Sequence, residues 1–228
     1  MSFALNYTEK GYGTPLVLLH GNGENSGYFV NQFEHFSKEY RVIAVDTRGH
    51  GSSPRGNKPF TLETFAEDLL NLLDSLNIEK ANILGFSDGG NIAVIFARKY
   101  PERVISLVLN GANLFPSGLK KSFLIPVKAL YAVFGLASCF SRRAIRRKEL
   151  LCLMAKQPNI RPEELESVKC PVLVIAGTLD VIKEKHTKLI AAALPNSRLC
   201  FLRGGHSIAK TNSVEFNREV EKFLDSLN

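Results

Sequence analysis

Ser87 stands in Gly85-Phe86-Ser87-Asp88-Gly89, a Gly-x-Ser-x-Gly pattern with an apolar run before it and a helix-forming run after it. On such a turn a serine hydroxyl is lifted clear of the chain, and a Cβ at either glycine would collide with the tight strand-to-helix crossing. The chemistry it points to is nucleophilic attack on a carbonyl. The five-residue pattern is weak alone; the strand ahead of it and the helix behind it make it a nucleophile hypothesis. A serine needs a base to take its proton and an acid to hold that base. Of the five histidines, His20 and His50 lie in glycine-rich loops and read as braces. His35 and His186 fall on predicted helices and read as surface residues. His206 follows an apolar strand on the flexible pair Gly204-Gly205, which lets an imidazole swing toward Ser87. For the acid, Asp180 follows Gly177-Thr178-Leu179 at another strand end. Asp46 also ends a strand, but its neighbours read as loop stabilisation, and Asn110-Gly111-Ala112-Asn113 offers no carboxylate.

Ser87, Asp180 and His206 are therefore the expected catalytic set, in the chain order of a triad headed by an elbow serine. An acyl-transfer oxyanion also needs preorganised N–H donors. Asp88, the residue after the serine, supplies one from the first turn of its helix, where the dipole favours negative charge. The other is most simply the backbone N–H of Asn22, in the loop His20-Gly21-Asn22-Gly23. The Asp88 carboxylate reads as an acid favoured at a helix N-terminus, with contact to a substrate ammonium as the sharper alternative.

These residues need elements to position them. Pro15 to His20 and Arg41 to Val45 are apolar runs of the kind buried on both faces of a parallel sheet. Ala81 to Leu84, Val104 to Leu109, Val172 to Ala176 and Arg198 to Leu202 read as further strands, with Phe3 to Tyr7 as a short edge strand. Helices are expected at about Tyr28 to Lys38, Asn91 to Lys99, Glu184 to Leu194 and Val214 to Leu227. Leu62 to Leu76 carries Leu62, Phe65, Ala66, Leu69, Leu70, Leu72, Leu73 and Leu76 at helical rhythm, with Thr61 as N-cap and Asp68 toward the polar side. Strand and helix alternate, except between Asn113 and about Lys169. That alternation gives an α/β fold, a mostly parallel central sheet with helices on both faces. Ligands bind beyond the carboxyl ends of such strands, where each loop singled out above is placed.

The 228 residues suffice for one sizeable domain, and 45% apolar with 22% charged is ordinary for a globular chain. The formal charge is +7, but it is concentrated. Between Leu114 and Lys156 nine basic residues meet the single acid Glu149, a local charge of +8 that leaves the remainder near −1. A near-neutral domain with one basic insert does not read as a nucleic-acid binder. No basic and apolar leader opens the chain, and Cys139, Cys152, Cys170 and Cys200 lack C-x-x-C spacing. Reduced core thiols and a cytoplasmic location are expected, with no cofactor-binding residues, no metal site and no disulfide framework.

The set His20-Gly21, Asp46-x-Arg48-Gly49-His50-Gly51-x-Ser53, Gly85-x-Ser87-x-Gly89, Gly177-x-x-Asp180 and Gly205-His206 resembles the α/β-hydrolase fold family. The Gly-x-Ser-Asp-Gly-Gly form resembles its serine esterase and amino-ester hydrolase branches. The resemblance implies Ser87, Asp180 and His206 as the triad, and the Asn22 and Asp88 N–H groups as the oxyanion hole. It also implies a cap domain inserted after the strand Val104 to Leu109. Residues 1–113 and 167–228 then form the hydrolase core and 114–166 a short helical cap.

Within that insert, Phe123 to Phe140 is apolar and marginal for a bilayer span, reading as a buried helix or lid. Ser141 is expected to cap a helix in which Arg142, Arg143, Arg146 and Arg147 recur at helical spacing. A solvated lid face is the first reading; contact with an anionic membrane surface or a fatty acyl substrate is the second. The expected activity is a cofactor-independent serine hydrolase acting on a small or medium carboxylic ester, amide or thioester. Perhydrolase, C–C bond hydrolase or acyltransferase chemistry would use the same triad, and a non-catalytic ligand-binding member of the fold is the alternative of another class.

Overall fold

A computed structural model of the chain describes residues 3–227. Its centre is a seven-stranded sheet: β1 (Tyr7–Lys10), β2 (Pro15–Leu19), β3 (Arg41–Val45), β4 (Ala81–Phe86), β5 (Val104–Asn110), β6 (Val172–Gly177) and β7 (Ser197–Leu202), in the order β1-β3-β2-β4-β5-β6-β7. Only β1 is antiparallel to its neighbour; β2 to β7 run parallel. The helices are α1 (Val30–Phe36), α2 (Leu62–Ser75), α3 (Asp88–Lys99), α4 (Lys121–Ala137), α5 (Arg142–Lys156), α6 (Glu184–Ala193), α7 (Ile208–Thr211) and α8 (Ser213–Asp225).

Alternate residues of one strand point to opposite faces, and the core divides accordingly. Val17, Leu19, Ile43, Ile83, Leu107 and Val174 pack with α2, α3 and α6. Leu16, Leu18, Val42, Leu84, Val108 and Ile175 pack with α1 and α8. Both faces being covered explains why the sequence shows continuous apolar runs in β2 to β6. Thr61 caps α2 by accepting from the Thr64 N–H at 3.2 Å, a contribution of about 1 kcal/mol.

Several expectations need correction. The edge strand runs Tyr7–Lys10, not Phe3 to Tyr7, because Asn6 is drawn into the loop after β3: its N–H donates to Ser53 Oγ and its amide to Asp46 Oδ2. Asp68 is buried, not on a polar side, and holds the buried Arg48 guanidinium through two contacts of 2.6 and 2.7 Å. His186 is buried as well, accepting from the Leu114 N–H at 2.9 Å with Phe115 edge-on to its ring. The four cysteines are free thiols, but Cys139 is exposed and the other three are half-exposed, so they are not core residues.

Between β5 and β6, α4 and α5 form an antiparallel-type hairpin joined at residues 138–141. Ser141 Oγ accepts from the Ala144 N–H and caps α5. The Arg147 guanidinium lies 5.3 Å from the Phe134 ring centroid and Lys156 Nζ 5.0 Å from that of Tyr131, binding one helix to the other. The hairpin reaches the loops at the carboxyl ends of the strands. Arg55 pairs with Glu149 through contacts of 2.9 and 2.5 Å, Arg146 donates to Gly49 O at 2.8 Å, and Leu62 N–H donates to Gln157. The alternative of a buried helix fails for α4, whose outer side is solvent-facing. Among the described residues no helix is long and apolar enough to cross a membrane.

Candidate active site

β4 ends at Phe86, and Ser87 follows with φ 53° and ψ −118°, a left-handed conformation that a serine adopts only where its surroundings enforce it. The enforcement is close packing. A Cβ on Gly85 would lie 2.3 Å from Gly89 O, and one on Gly89 only 1.9 Å from Leu19 O. The two flanking glycines are thus required by backbone approaching backbone. Ser87 N–H donates to Asn110 O at 2.8 Å, and Ser87 O accepts from Asn91 N–H at 3.0 Å, so the turn is held by β5 on one side and α3 on the other.

Ser87 Oγ lies 3.0 Å from His206 Nε2, and His206 Nδ1 lies 2.7 Å from Asp180 Oδ1. Asp180 is buried at the end of β6, and its Oδ1 also accepts from the Ile182 N–H at 2.8 Å, which fixes the carboxylate. The Nδ1–H donates to this carboxylate, so Nε2 presents its lone pair to the serine hydroxyl. That is the geometry in which an imidazole takes a proton from an alcohol. The fold thus brings together all three residues expected from sequence, from positions 119 and 26 residues apart.

Phe86 supports the imidazole from one side, its ring centroid 4.8 Å from that of His206, and is itself stacked on Tyr28 at 4.3 Å. Gly111, in left-handed conformation, passes beneath: a Cβ there would come within 2.8 Å of the His206 ring. Sequence reasoning missed both. Phe86 was visible as the aromatic residue inside the elbow pattern; nothing local marked Gly111.

The loop after β2 abuts the serine. A Cβ on Gly21 would sit 3.3 Å from Ser87 Cβ. His20 braces this loop as expected, donating from Nδ1 to Gly21 O at 2.7 Å and accepting from the Thr47 N–H at Nε2. Burial holds His20 neutral, with its pKa lowered to about 4, and pushes that of His50 down as well. Asp46 stabilises its loop by accepting from Ser26 N–H, Ser52 N–H and the Asn6 amide. Burial raises its pKa, but these donors together outweigh that and leave it below the ordinary carboxylate range.

Asn22 and Asp88 flank Ser87. Asp88 is buried, and both its oxygens are engaged, by Asn22 Nδ2 at 2.9 Å and Asn91 Nδ2 at 3.1 Å. Burial raises its pKa against the pull of these two amides. The network continues from Asn91 to Asn113, whose N–H and side chain both meet the Asn91 amide. This closed set answers for the Asp88 carboxylate without a substrate ammonium. Asn91, one helical turn after Asp88, was the signal available in the sequence.

A surface cleft of about 360 Å³ opens between the loop after β3 and α5. It is lined by Gly49, Ser53, Arg55, Arg142, Arg146 and Glu149, and by none of the serine–histidine–aspartate set.

Residues 14–154 match the sequence pattern of the alpha/beta hydrolase fold. The chain belongs to the α/β-hydrolase family. Among similar proteins, serine hydrolase BPHL from Homo sapiens is 30% identical, covering 96% of this chain and 82% of its own. The 2-hydroxymuconate semialdehyde hydrolase of Pseudomonas sp. (strain CF600) is 33% identical over 75% of this chain and 58% of its own. Among solved structures, Est816, described as an N-acyl homoserine lactone degrading enzyme, superposes with a TM-score of 0.78 at 26% identity, covering 96% of each chain. The names of these similar proteins thus point to different small molecules.

Proposed function

We propose that this α/β hydrolase cleaves small or medium carboxylic esters, amides or thioesters through an acyl-enzyme on Ser87. Ser87 Oγ attacks the carbonyl carbon while His206 Nε2 takes its proton, and Asp180 holds the imidazolium that forms. The carbonyl oxygen, now an oxyanion, accepts from the backbone N–H groups of Asn22 and Asp88; the latter belongs to the first turn of α3, where helical N–H groups have no partner within the helix. Collapse of the intermediate expels the leaving group, which takes the proton from His206. Water, deprotonated by the same imidazole, then releases the acid. Residues 114–166 act as a cap over this site, the remainder as the core.

The observation that carries the reading is the continuous chain Ser87 Oγ, His206, Asp180, with separations of 3.0 and 2.7 Å. The relationship to serine hydrolase BPHL supports it. Likeness to 2-hydroxymuconate semialdehyde hydrolase favours one second reading, hydrolysis of a C–C bond next to a carbonyl, by the same three residues.

A fluorophosphonate probe tests the assignment. Wild type is expected to be labelled and Ser87→Ala not; equal labelling of both refutes Ser87 as nucleophile, and no labelling of wild type favours a non-catalytic member of the fold. Asp180→Asn is expected to lower kcat on p-nitrophenyl acetate by about 10⁴-fold. A p-nitrophenyl series of increasing acyl length then ranks substrates, and turnover of a vinylogous diketone in place of any ester selects the second reading.

A further inference from the structure

We propose that the outer face of the α4–α5 hairpin docks on an anionic lipid surface. Ile125, Ala129, Val133 and Leu136 follow one another at steps of four, four and three, which places them in a single stripe along about 16 Å of α4. Phe140 extends the stripe into the turn before α5. Ile125 is 62% exposed, Val133 58%, Leu136 78% and Phe140 91%. Single apolar residues on a surface are ordinary; large ones aligned along one helix are not. The opposite side of α4 is already occupied, with Leu124 and Val127 buried and Tyr131 and Phe134 under the cations of α5.

The rim of this stripe carries one sign of charge. Lys121 and Lys128, beside the stripe on α4, are exposed, and so is Arg143 on α5. No Asp or Glu occurs between Leu114 and Lys148, and the one acid of the hairpin, Glu149, is paired with Arg55. Arg146 donates to Gly49 O, and the Arg147 guanidinium lies over the Phe134 ring. The basic helix is therefore not uniformly a solvated face: Arg146 and Arg147 hold the hairpin, while Arg143 is exposed.

A second copy of the chain seated on this stripe would bring two such basic rims together, and like charges oppose that. The stripe itself is built from Ile, Ala, Val, Leu and Phe alone, and its flanking charge is all basic. An anionic leaflet needs no register. It accepts the apolar side chains between its headgroups and neutralises the surrounding Lys and Arg, as interfacial helices do. The inference is independent of the nucleophile, since none of these side chains touches Ser87, His206 or Asp180.

Co-sedimentation of the full chain with vesicles tests it. Wild type is expected to sediment with vesicles of phosphatidylcholine and phosphatidylglycerol, not with phosphatidylcholine alone, and to be released by salt. Leu136→Ser/Phe140→Ser leaves the charge unchanged and is expected to lower the partition coefficient at least about tenfold. Lys128→Glu/Arg143→Glu is expected to lower it by at least about the same factor. Circular dichroism and wild-type fluorophosphonate labelling check that both pairs fold, and either pair alone suffices as the test. Failure of wild type to bind the mixed vesicles overturns the proposal. So does binding that the apolar pair leaves unchanged, which is adsorption by net charge alone. A wild-type dimer that the apolar pair renders monomeric, without lipid binding, overturns it in favour of a second copy. Loss of labelling in every form, with sedimentation as expected, would fault the nucleophile assignment and not the lipid surface.

Discussion

The side-chain amide of Asn22 donates to the backbone carbonyl of Leu150, in the middle of α5, at 2.9 Å. The same amide donates to Asp88 Oδ2, also at 2.9 Å. One side chain therefore ties the hairpin to the residue that follows Ser87, while its own backbone N–H is the proposed oxyanion donor. Asn22→Ala keeps that N–H and removes both ties, leaving a buried carboxylate oxygen without its donor. A fall of about ten- to a hundredfold in kcat/KM is expected. Steady-state kinetics on p-nitrophenyl acetate measures it, and a value close to wild type would show that the amide does not position the loop.

Two glycines separate contact from conformation. At Gly89 a Cβ meets Leu19 O at 1.9 Å, whereas at Gly23, with φ +77°, it meets nothing within 4 Å. Gly89→Ala is expected to cost about 3 kcal/mol or more, or to prevent folding. Gly23→Ala is expected to cost only the strain of a left-handed alanine, about 1 kcal/mol. Urea unfolding of the two variants compares them; equal costs would mean that the elbow has room the geometry denies.

The ion pair between Arg48 and Asp68 is buried on both sides. Arg48→Met strands the Asp68 charge and is expected to cost about 3–5 kcal/mol. Arg48→Met/Asp68→Leu removes both charges and is expected to recover most of that loss. A double-mutant cycle in urea reads the coupling, and strict additivity of the two single variants would show that the pair does not act as a unit.

His20 makes stability depend on pH in a defined window. Its pKa is about 4 in the folded chain and about 6.5 when unfolded. Between those values the unfolded state binds more protons, so folding is favoured by rising pH and loses stability as pH falls below about 6.5. Down to pH 5 the loss from this group is about 2 kcal/mol. His186, with its pKa lowered to about 4 by burial first and by Lys183 second, adds in the same direction. Urea unfolding from pH 7 to pH 5 is expected to be shallower in pH for His20→Gln than for wild type. Parallel curves would contradict a neutral buried His20.

Much of the fold was legible because apolar patterning is local. Continuous runs marked β2 to β6, and the rhythm of Leu62 to Leu76 marked α2 to within a residue. The expected hydroxyl, imidazole and carboxylate were found because each follows a strand at the same end of a parallel sheet, which topology alone brings together. The edge strand was placed four residues early, since its register is set by pairing with β3 and by the pull of Asp46 and Ser53 on Asn6.

What the sequence by itself determined is the α/β alternation and the elbow pattern around Ser87; it also singled out Asp180 and His206, which the fold brings into one hydrogen-bonded chain with Ser87. These depend on the period of a strand or helix and on small residues at fixed offsets. Only the tertiary structure decided the fate of the polar side chains that elements bury against one another. Asp68 was on a face that looked polar until Arg48 came to it from another loop, and His186 was a surface residue until Leu114 needed an acceptor. The hairpin followed the same rule: that Arg146 reaches Gly49 O and Arg147 the Phe134 ring depends on where the helix lands. A buried polar group must find a partner, and that partner lies far along the chain, where no local period reports it.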